Sequence, residues 1–187
     1  MEKPKEYFKN TYHHLYNRGA NQETIFFEEG DYNYFLKRLV LYKKKYSIKI
    51  LAYCLIPNHF HLFAKQTENN KTIGMFVGTL LNSYTKFINT KYRRNGVLFQ
   101  GPTKSKMIND EAYFVWLIKY ILLNPSNAKL VRNVSDWKYS SYKEFFEEDT
   151  IIDKEEILER FSTNSSFKNF IEKENESFDY DYFRVWK

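Results

Sequence analysis

Cysteine is nearly absent from this chain: Cys54 stands alone among 187 residues. A lone thiol closes no disulfide within the chain, which excludes a bridge-stapled scaffold and suits a reducing compartment. Set inside an apolar run, Cys54 reads as a small buried hydrophobe. No stretch approaches the roughly 18 consecutive apolar residues of a membrane-spanning helix. The opening Met1-Glu-Lys-Pro-Lys-Glu has no apolar stretch resembling a secretory leader. The expected location is therefore the cytoplasm, with no membrane partner. Internal repeats and low-complexity tracts are also lacking.

Acidic residues are scarce over most of the length. Residues 1–145 carry 23 Lys and Arg against 11 Asp and Glu, a balance of +12, whereas residues 146–187 carry 6 against 12, a balance of −6. A body this basic attracts polyanions, nucleic acid above all, although solvated surface charge is the plain alternative. The change of sign divides the chain into a basic body, 1–145, and an acidic, helical appendage, 146–187.

What is abundant is aromatic surface. Sixteen Tyr and 17 Phe raise the aromatic content to 19%, and the hydrophobic content of 43% argues against disorder. The length suits one domain with a real core. The surplus rings are suited to stacking on unpaired bases.

Periodicity orders the elements. Residues 11–18 read as a strand closed by Gly19. Asp31 is the expected N-cap of a helix to about Tyr46, with Phe35, Leu36, Leu39 and Val40 at helical spacing. Residues 47–56 are almost continuously apolar, as in a central strand covered on both faces. Pro57-Asn58 turns the chain into a strand ending near Lys65, so the two strands pair as a hairpin. A helix is expected over 71–94, its apolar stripe running from Ile73 to Ile88 and its stop at Asn95-Gly96. A strand at 103–108 and a helix over 111–123, halted by Asn124-Pro125, follow. Strand, helix, strand, strand, helix, strand is a split βαβ, ferredoxin-like plan: an α+β fold with an antiparallel sheet and packed helices. Residues 153–161 and 164–176 are expected as extra C-terminal helices, and 178–186 are rich in aromatics.

The hairpin carries the sharpest motif, Pro57-Asn-His-Phe-His-Leu-Phe63. Side chains two apart on a strand share a face, so His59 and His61 project together, roughly 6–7 Å apart at their bases. Phe60 and Leu62 point the other way, into a core. Two imidazoles on one rigid strand can share a metal ion; a wet sheet surface is the bland alternative.

The run Leu51-Ala-Tyr-Cys-Leu-Ile-Pro-Asn-His-Phe-His-Leu-Phe63 resembles the His-hydrophobic-His strand of the IS200-like (Y1) single-strand DNA transposases of the HUH superfamily, above all the REP-associated tyrosine transposases. His14-Leu-Tyr-Asn-Arg-Gly19, followed by Ile25-Phe26, matches that family's opening strand. Leu98-Phe-Gln-Gly101 with Lys104-Ser105 fits the stretch before its tyrosine helix. Tyr120-Ile-Leu-Leu-Asn-Pro125, followed by Ala128 and Leu130-Val131, matches that helix. The four stretches stand in register over about residues 10–145. The resemblance implies the ferredoxin-like fold and cleavage and rejoining of single-stranded, hairpin-associated DNA. It also implies a 5′-phosphotyrosine intermediate and a divalent metal. It puts the metal-ligand role on His59 and His61 and the nucleophile role on Tyr120.

Elementary chemistry agrees with those roles. A cation offsets charge on a phosphorus centre under attack. A phenol, with a pKa near 10, is a poor nucleophile until its proton is lost or it is drawn toward that cation. Asn124, one helical turn after Tyr120, is the candidate third metal ligand, with a plain helix stop as the other reading. Mg²⁺ or Mn²⁺ is favoured over zinc, because no Cys or third nearby His completes a four-ligand cage. Arg18, Lys91, Arg93, Arg94, Lys104 and Lys106 are candidate DNA contacts. A surface salt bridge is an equal reading of Arg18, and His14 either fills the sheet or orients DNA. Two other functions stay open: a nucleic-acid-binding module without chemistry, and a hydrolase using the histidines to activate water. Both monomer and homodimer are compatible with the sequence. The acidic segment either packs on the body or folds over the DNA groove.

Overall fold

In a computed structural model that describes residues 7–173, the chain runs β1 (Tyr12–Arg18), α1 (Glu29–Lys45), β2 (Ile48–Ile56), β3 (His59–Gln66), α2 (Ile73–Lys91), β4 (Lys104–Ile108), α3 (Glu111–Asn127), α4 (Glu155–Leu158) and α5 (Asn164–Glu172). The named strands form one antiparallel sheet in the order β2-β3-β1-β4. This is the α+β, split βαβ plan that the periodicity predicts. Alternation along β1 and β3 sorts side chains to two covered faces. On one face Phe60 meets Phe35 of α1 with rings 5.5 Å apart, and Phe35 in turn meets Tyr84 of α2 at 5.2 Å. The opposite face carries the histidines, and α3 lies over it: Phe114 stands 4.7 Å from Phe63 and 5.0 Å from Tyr12.

Several expectations are corrected. β2 is an edge strand rather than a central one, although nearly all of it is buried. Its cover comes from the chain beyond α3. Leu55 N donates to the Tyr139 carbonyl at 2.9 Å, Ser141 N to Tyr53 at 3.0 Å, and Asp153 N to Ile50 at 2.7 Å. A late segment thus satisfies the edge's backbone, which otherwise would invite pairing with another chain.

α1 is capped by Glu28, and Asp31 sits inside the first turn as the returning partner of a capping box. Its fully buried carboxylate accepts from Phe27 N at 2.9 Å, Glu28 N at 3.2 Å, Tyr92 Oη at 2.8 Å and Lys91 Nζ at 2.6 Å. α2 stops before Asn95-Gly96: Arg93 takes a left-handed φ of 49°, and Arg94 N reaches back to the Asn89 carbonyl at 2.9 Å. α3 passes through Pro125 to Asn127, because a proline in the last turn forfeits a single amide donor. The Asn124 carbonyl still accepts from Ala128 N at 2.9 Å.

The acidic segment packs on the body as far as it is described. Ile152, Ile157, Phe167 and Ile171 are buried in the common core. Glu156 accepts from Lys49 at 2.9 Å, Lys65 at 2.9 Å and Tyr12 Oη at 2.7 Å, and Lys43 pairs with Asp153 at 2.8 Å. Of the helix expected over 153–161 only α4 forms. The helix expected over 164–176 ends at Glu172, with Lys173 extended as its C-cap; residues 174–176 and the aromatic stretch 178–186 lie outside the described residues. No described helix is long and apolar enough to cross a membrane.

Candidate active site

His59 and His61 leave β3 on the same face, with ring centroids 5.1 Å apart and planes at 84°. The turn before them is pinned by backbone donors. Gly19 N bonds the Asn58 carbonyl at 2.9 Å, while Ile25 N and Phe26 N share the Pro57 carbonyl at 2.7 and 3.0 Å. Only glycine suits position 19, since a Cβ there would stand 2.0 Å from the Glu23 carbonyl oxygen.

α3 brings two more groups to the same place. The Tyr120 ring lies 5.2 Å from that of His61 and 6.1 Å from that of His14. Trp116, one turn earlier, stacks on Tyr120 at 4.9 Å and 21°, which fixes the plane of the phenol. Asn124, one turn later, sets Oδ1 3.1 Å from His59 Nε2. All four residues singled out for chemistry therefore meet within a single chain.

Burial governs their protonation. Desolvation lowers the His59 pKa to about 4; the Asn124 hydrogen bond opposes this and Arg18 adds to it. Desolvation, with Lys106 adding, lowers His14 to about 3. His61 lies well below the usual imidazole value for the same first reason, with His14 and His59 contributing. All three rings are thus neutral at neutral pH, the state in which imidazole ligates metals. Burial, helped by Tyr113 and Tyr16, pushes the Tyr120 phenol up, so it carries its proton until something draws it away.

Two imidazole nitrogens and an amide oxygen form an open donor set: the imidazoles suit transition metals, and oxygen ligands are needed to complete the shell of Mg²⁺ or Mn²⁺. His14 stacks on His61, but among the described residues no group of three or more His, Cys, Asp or Glu is arranged to hold a metal ion, so no closed zinc cage of these residue types is built. His59 Nδ1 lies 2.8 Å from Asn58 Oδ1. With the proton there, Nε2 keeps a lone pair for a cation; with the proton on Nε2, it donates to Asn124 Oδ1 at 3.1 Å. Neighbouring ligands of an octahedral Mg²⁺, bonded at 2.0–2.1 Å, stand about 3 Å apart.

Comparison with known proteins decides the family. The IS200-like transposase family matches residues 7–123, more than half of the chain. The chain belongs to the IS200-like transposase family. A curated Haemophilus influenzae protein, whose name places it among REP-associated tyrosine transposases, is 27% identical over 107 residues, covering 52% of this chain and 60% of that protein. The chain thus spans about 60% of the length of this curated relative. A solved structure of a REP-associated tyrosine transposase bound to a REP hairpin superposes with a TM-score of 0.66 at 16% identity, over 83% of this chain and 95% of that one. At that identity the likeness establishes the fold.

The basic candidates of this IS200-like chain fall into two groups. Arg18 is the β1 partner of His59 in the strand register, and its Nε donates to Gln100. Lys104 and Lys106 lie exposed on β4, opposite Tyr16 and His14, with Lys106 Nζ 4.0 Å above the Tyr113 ring. These three border the histidine face. Lys91 is held by Asp31 and Glu28, each at 2.6 Å, and Arg94 Nη2 lies 3.7 Å from Glu23, whereas Arg93 is exposed at the turn after α2.

Two contacts of the site escaped sequence reasoning. The Trp116 stack was visible in principle, since it precedes Tyr120 by one helical turn. The contact of His14 Nε2 with His61 Nδ1 at 2.9 Å was not. It depends on the offset between β1 and β3, in which His61 faces Tyr16 rather than His14.

Proposed function

We propose that this chain is a metal-dependent DNA strand transferase that cleaves and rejoins single-stranded, hairpin-associated DNA through Tyr120. One observation carries the reading: a single turn of α3 presents a phenol against His61 and an amide oxygen against His59. In the forward step the Tyr120 oxygen forms a bond to phosphorus and the bond from phosphorus to the 3′-oxygen breaks. The phenol's proton is given up and the departing 3′-oxygen takes one. The product is a 5′-phosphotyrosine with a free 3′-hydroxyl. An aryl phosphate ester retains the energy of the cleaved bond, so a 3′-hydroxyl can reverse the step without ATP.

His59, His61 and Asn124 would hold Mg²⁺ or Mn²⁺. When bound, the ion supplies Lewis-acid stabilisation of charge on the phosphate oxygens. Burial leaves the imidazoles neutral and ready to ligate, while the Trp116 stack restricts the Tyr120 ring to one plane. Arg18, Lys104 and Lys106 are suited to backbone phosphates entering from the end of β1 and from the β4 edge. The REP hairpin bound to the structural relative supports a hairpin-bearing substrate here.

The test is incubation of single-stranded hairpin DNA with the protein and Mg²⁺ or Mn²⁺, followed by denaturing electrophoresis. A denaturant-resistant protein–DNA adduct is expected, and Tyr120→Phe should abolish it while leaving DNA affinity within a few-fold. Free DNA ends that persist in Tyr120→Phe would instead indicate a hydrolase. Intact DNA bound under all conditions would indicate a binding module.

A further inference from the structure

The hydrogen bond between the two buried histidines has a consequence for which nitrogen of His61 is offered to a ligand. His14 and His61 are both fully buried, on adjacent strands. Their rings stack at 5.1 Å and 29°, and His14 Nε2 meets His61 Nδ1 at 2.9 Å. The other nitrogen of His14, Nδ1, is buried without a hydrogen-bond partner among the described residues. A buried polar atom left unsatisfied costs stability, and an apolar ring would fill the same space without that cost. Packing alone therefore does not account for an imidazole at position 14.

A neutral pair of imidazoles in contact through one nitrogen each shares one proton across that contact, and two arrangements exist. In the first, His61 carries its proton on Nδ1 and donates it to His14 Nε2; His61 Nε2 then presents a lone pair. In the second, His14 donates and His61 is protonated on Nε2, which cannot ligate. A histidine that binds metal through one nitrogen almost always donates a hydrogen bond from the other, and that partner fixes both tautomer and ring orientation.

We propose that His14 is a positioning residue: its Nε2 accepts the His61 Nδ1 proton and so holds His61 in the tautomer whose Nε2 can ligate the cation. The assignment rests on the metal reading above, in which His61 is a ligand. His14 itself touches neither substrate nor cation. Its β1 placement makes the strand next to the histidine strand part of the metal-site apparatus.

Two measurements on the full chain test this without turnover. Long-range ¹H–¹⁵N correlation spectra of histidine-labelled protein report which nitrogen of His61 is protonated. Titration with Mn²⁺ alone, followed by electron paramagnetic resonance, reports affinity. The wild type is expected to show His61 protonated at Nδ1. His14→Phe, which keeps an aromatic ring and removes the acceptor, is expected to move that proton and weaken Mn²⁺ binding about 10–100-fold. His14→Gln, whose side-chain oxygen reaches about as far as Nε2, should restore affinity to within a few-fold. Wild-type His61 protonated at Nε2 would overturn the proposal, as would a folded His14→Phe with unchanged affinity, or equal loss in both variants. If the wild type binds no Mn²⁺, the metal reading fails by itself, and the wild-type spectrum alone then decides for or against the His14 assignment. That same spectrum decides if His14→Phe does not fold.

Discussion

At the residue scale, the site depends on few atoms, and Asn124 is the most exposed to test. It follows Tyr120 by one helical turn, immediately before a proline, and its Oδ1 is the protein oxygen shown beside His59 Nε2. Asn124→Ala should weaken Mn²⁺ binding by about tenfold or more, since one ligand of a small set is lost. It should reduce adduct formation in proportion, and raising the Mn²⁺ concentration should recover part of it. Calorimetric Mn²⁺ titration, paired with the adduct assay at several metal concentrations, checks both. Unchanged affinity would remove Asn124 from the ligand set and leave it an ordinary residue of the last turns of α3.

At the element scale, α1 and α2 are joined where the first begins and the second ends. The buried Asp31 carboxylate collects four donors from both elements. Asp31→Ala would leave three neutral donors unpaired and the Lys91 ammonium with Glu28 alone, at a cost of about 2–4 kcal/mol. Lys91→Met should cost less, because the carboxylate keeps its three neutral donors. Urea unfolding of the two variants measures the difference, and equal losses would contradict this ranking. This junction also shows the limits of sequence reading. The order of strands and helices, and the common face of His59 and His61, followed from periods of two and 3.6 residues. Asp31 passed for an N-cap because the capping Glu28 looks like an ordinary surface residue. The ion pair of Lys91 was illegible because its partner lies 60 residues earlier. The burial of β2 suggested a central strand, whereas its cover arrives from residues 139–141 and Asp153, a pairing no local pattern encodes. Tyr120 was recognisable only through the motif around it, since periodicity alone makes it one of 16 tyrosines.

At the scale of the whole molecule, the acidic segment serves as an anchor at one end of the sheet. Burial alone would raise the Glu156 carboxyl, but hydrogen bonds from Lys65, Lys49 and Tyr12 outweigh it and hold the pKa down at about 2. A carboxyl depressed on folding contributes stability above its unfolded value near 4.5 and loses that contribution as pH falls toward 2. Wild type should therefore lose stability between about pH 4.5 and 2 more steeply than Glu156→Gln. The variant should already be weaker at pH 7, by about 1–3 kcal/mol. Thermal melts across that range give both values, and parallel pH curves would remove Glu156 from the account.

The anchor also shapes the molecule's field. It neutralises Lys49 and Lys65 beside Tyr12, at the opposite end of β1 and β3 from Arg18 and His59. Two cations at the Tyr12 end are thereby offset, whereas Lys104 lies exposed opposite Tyr16, toward the imidazole end. If a polyanion docks at the imidazole end, as proposed above, such a bias would turn it before contact and shorten the rotational search.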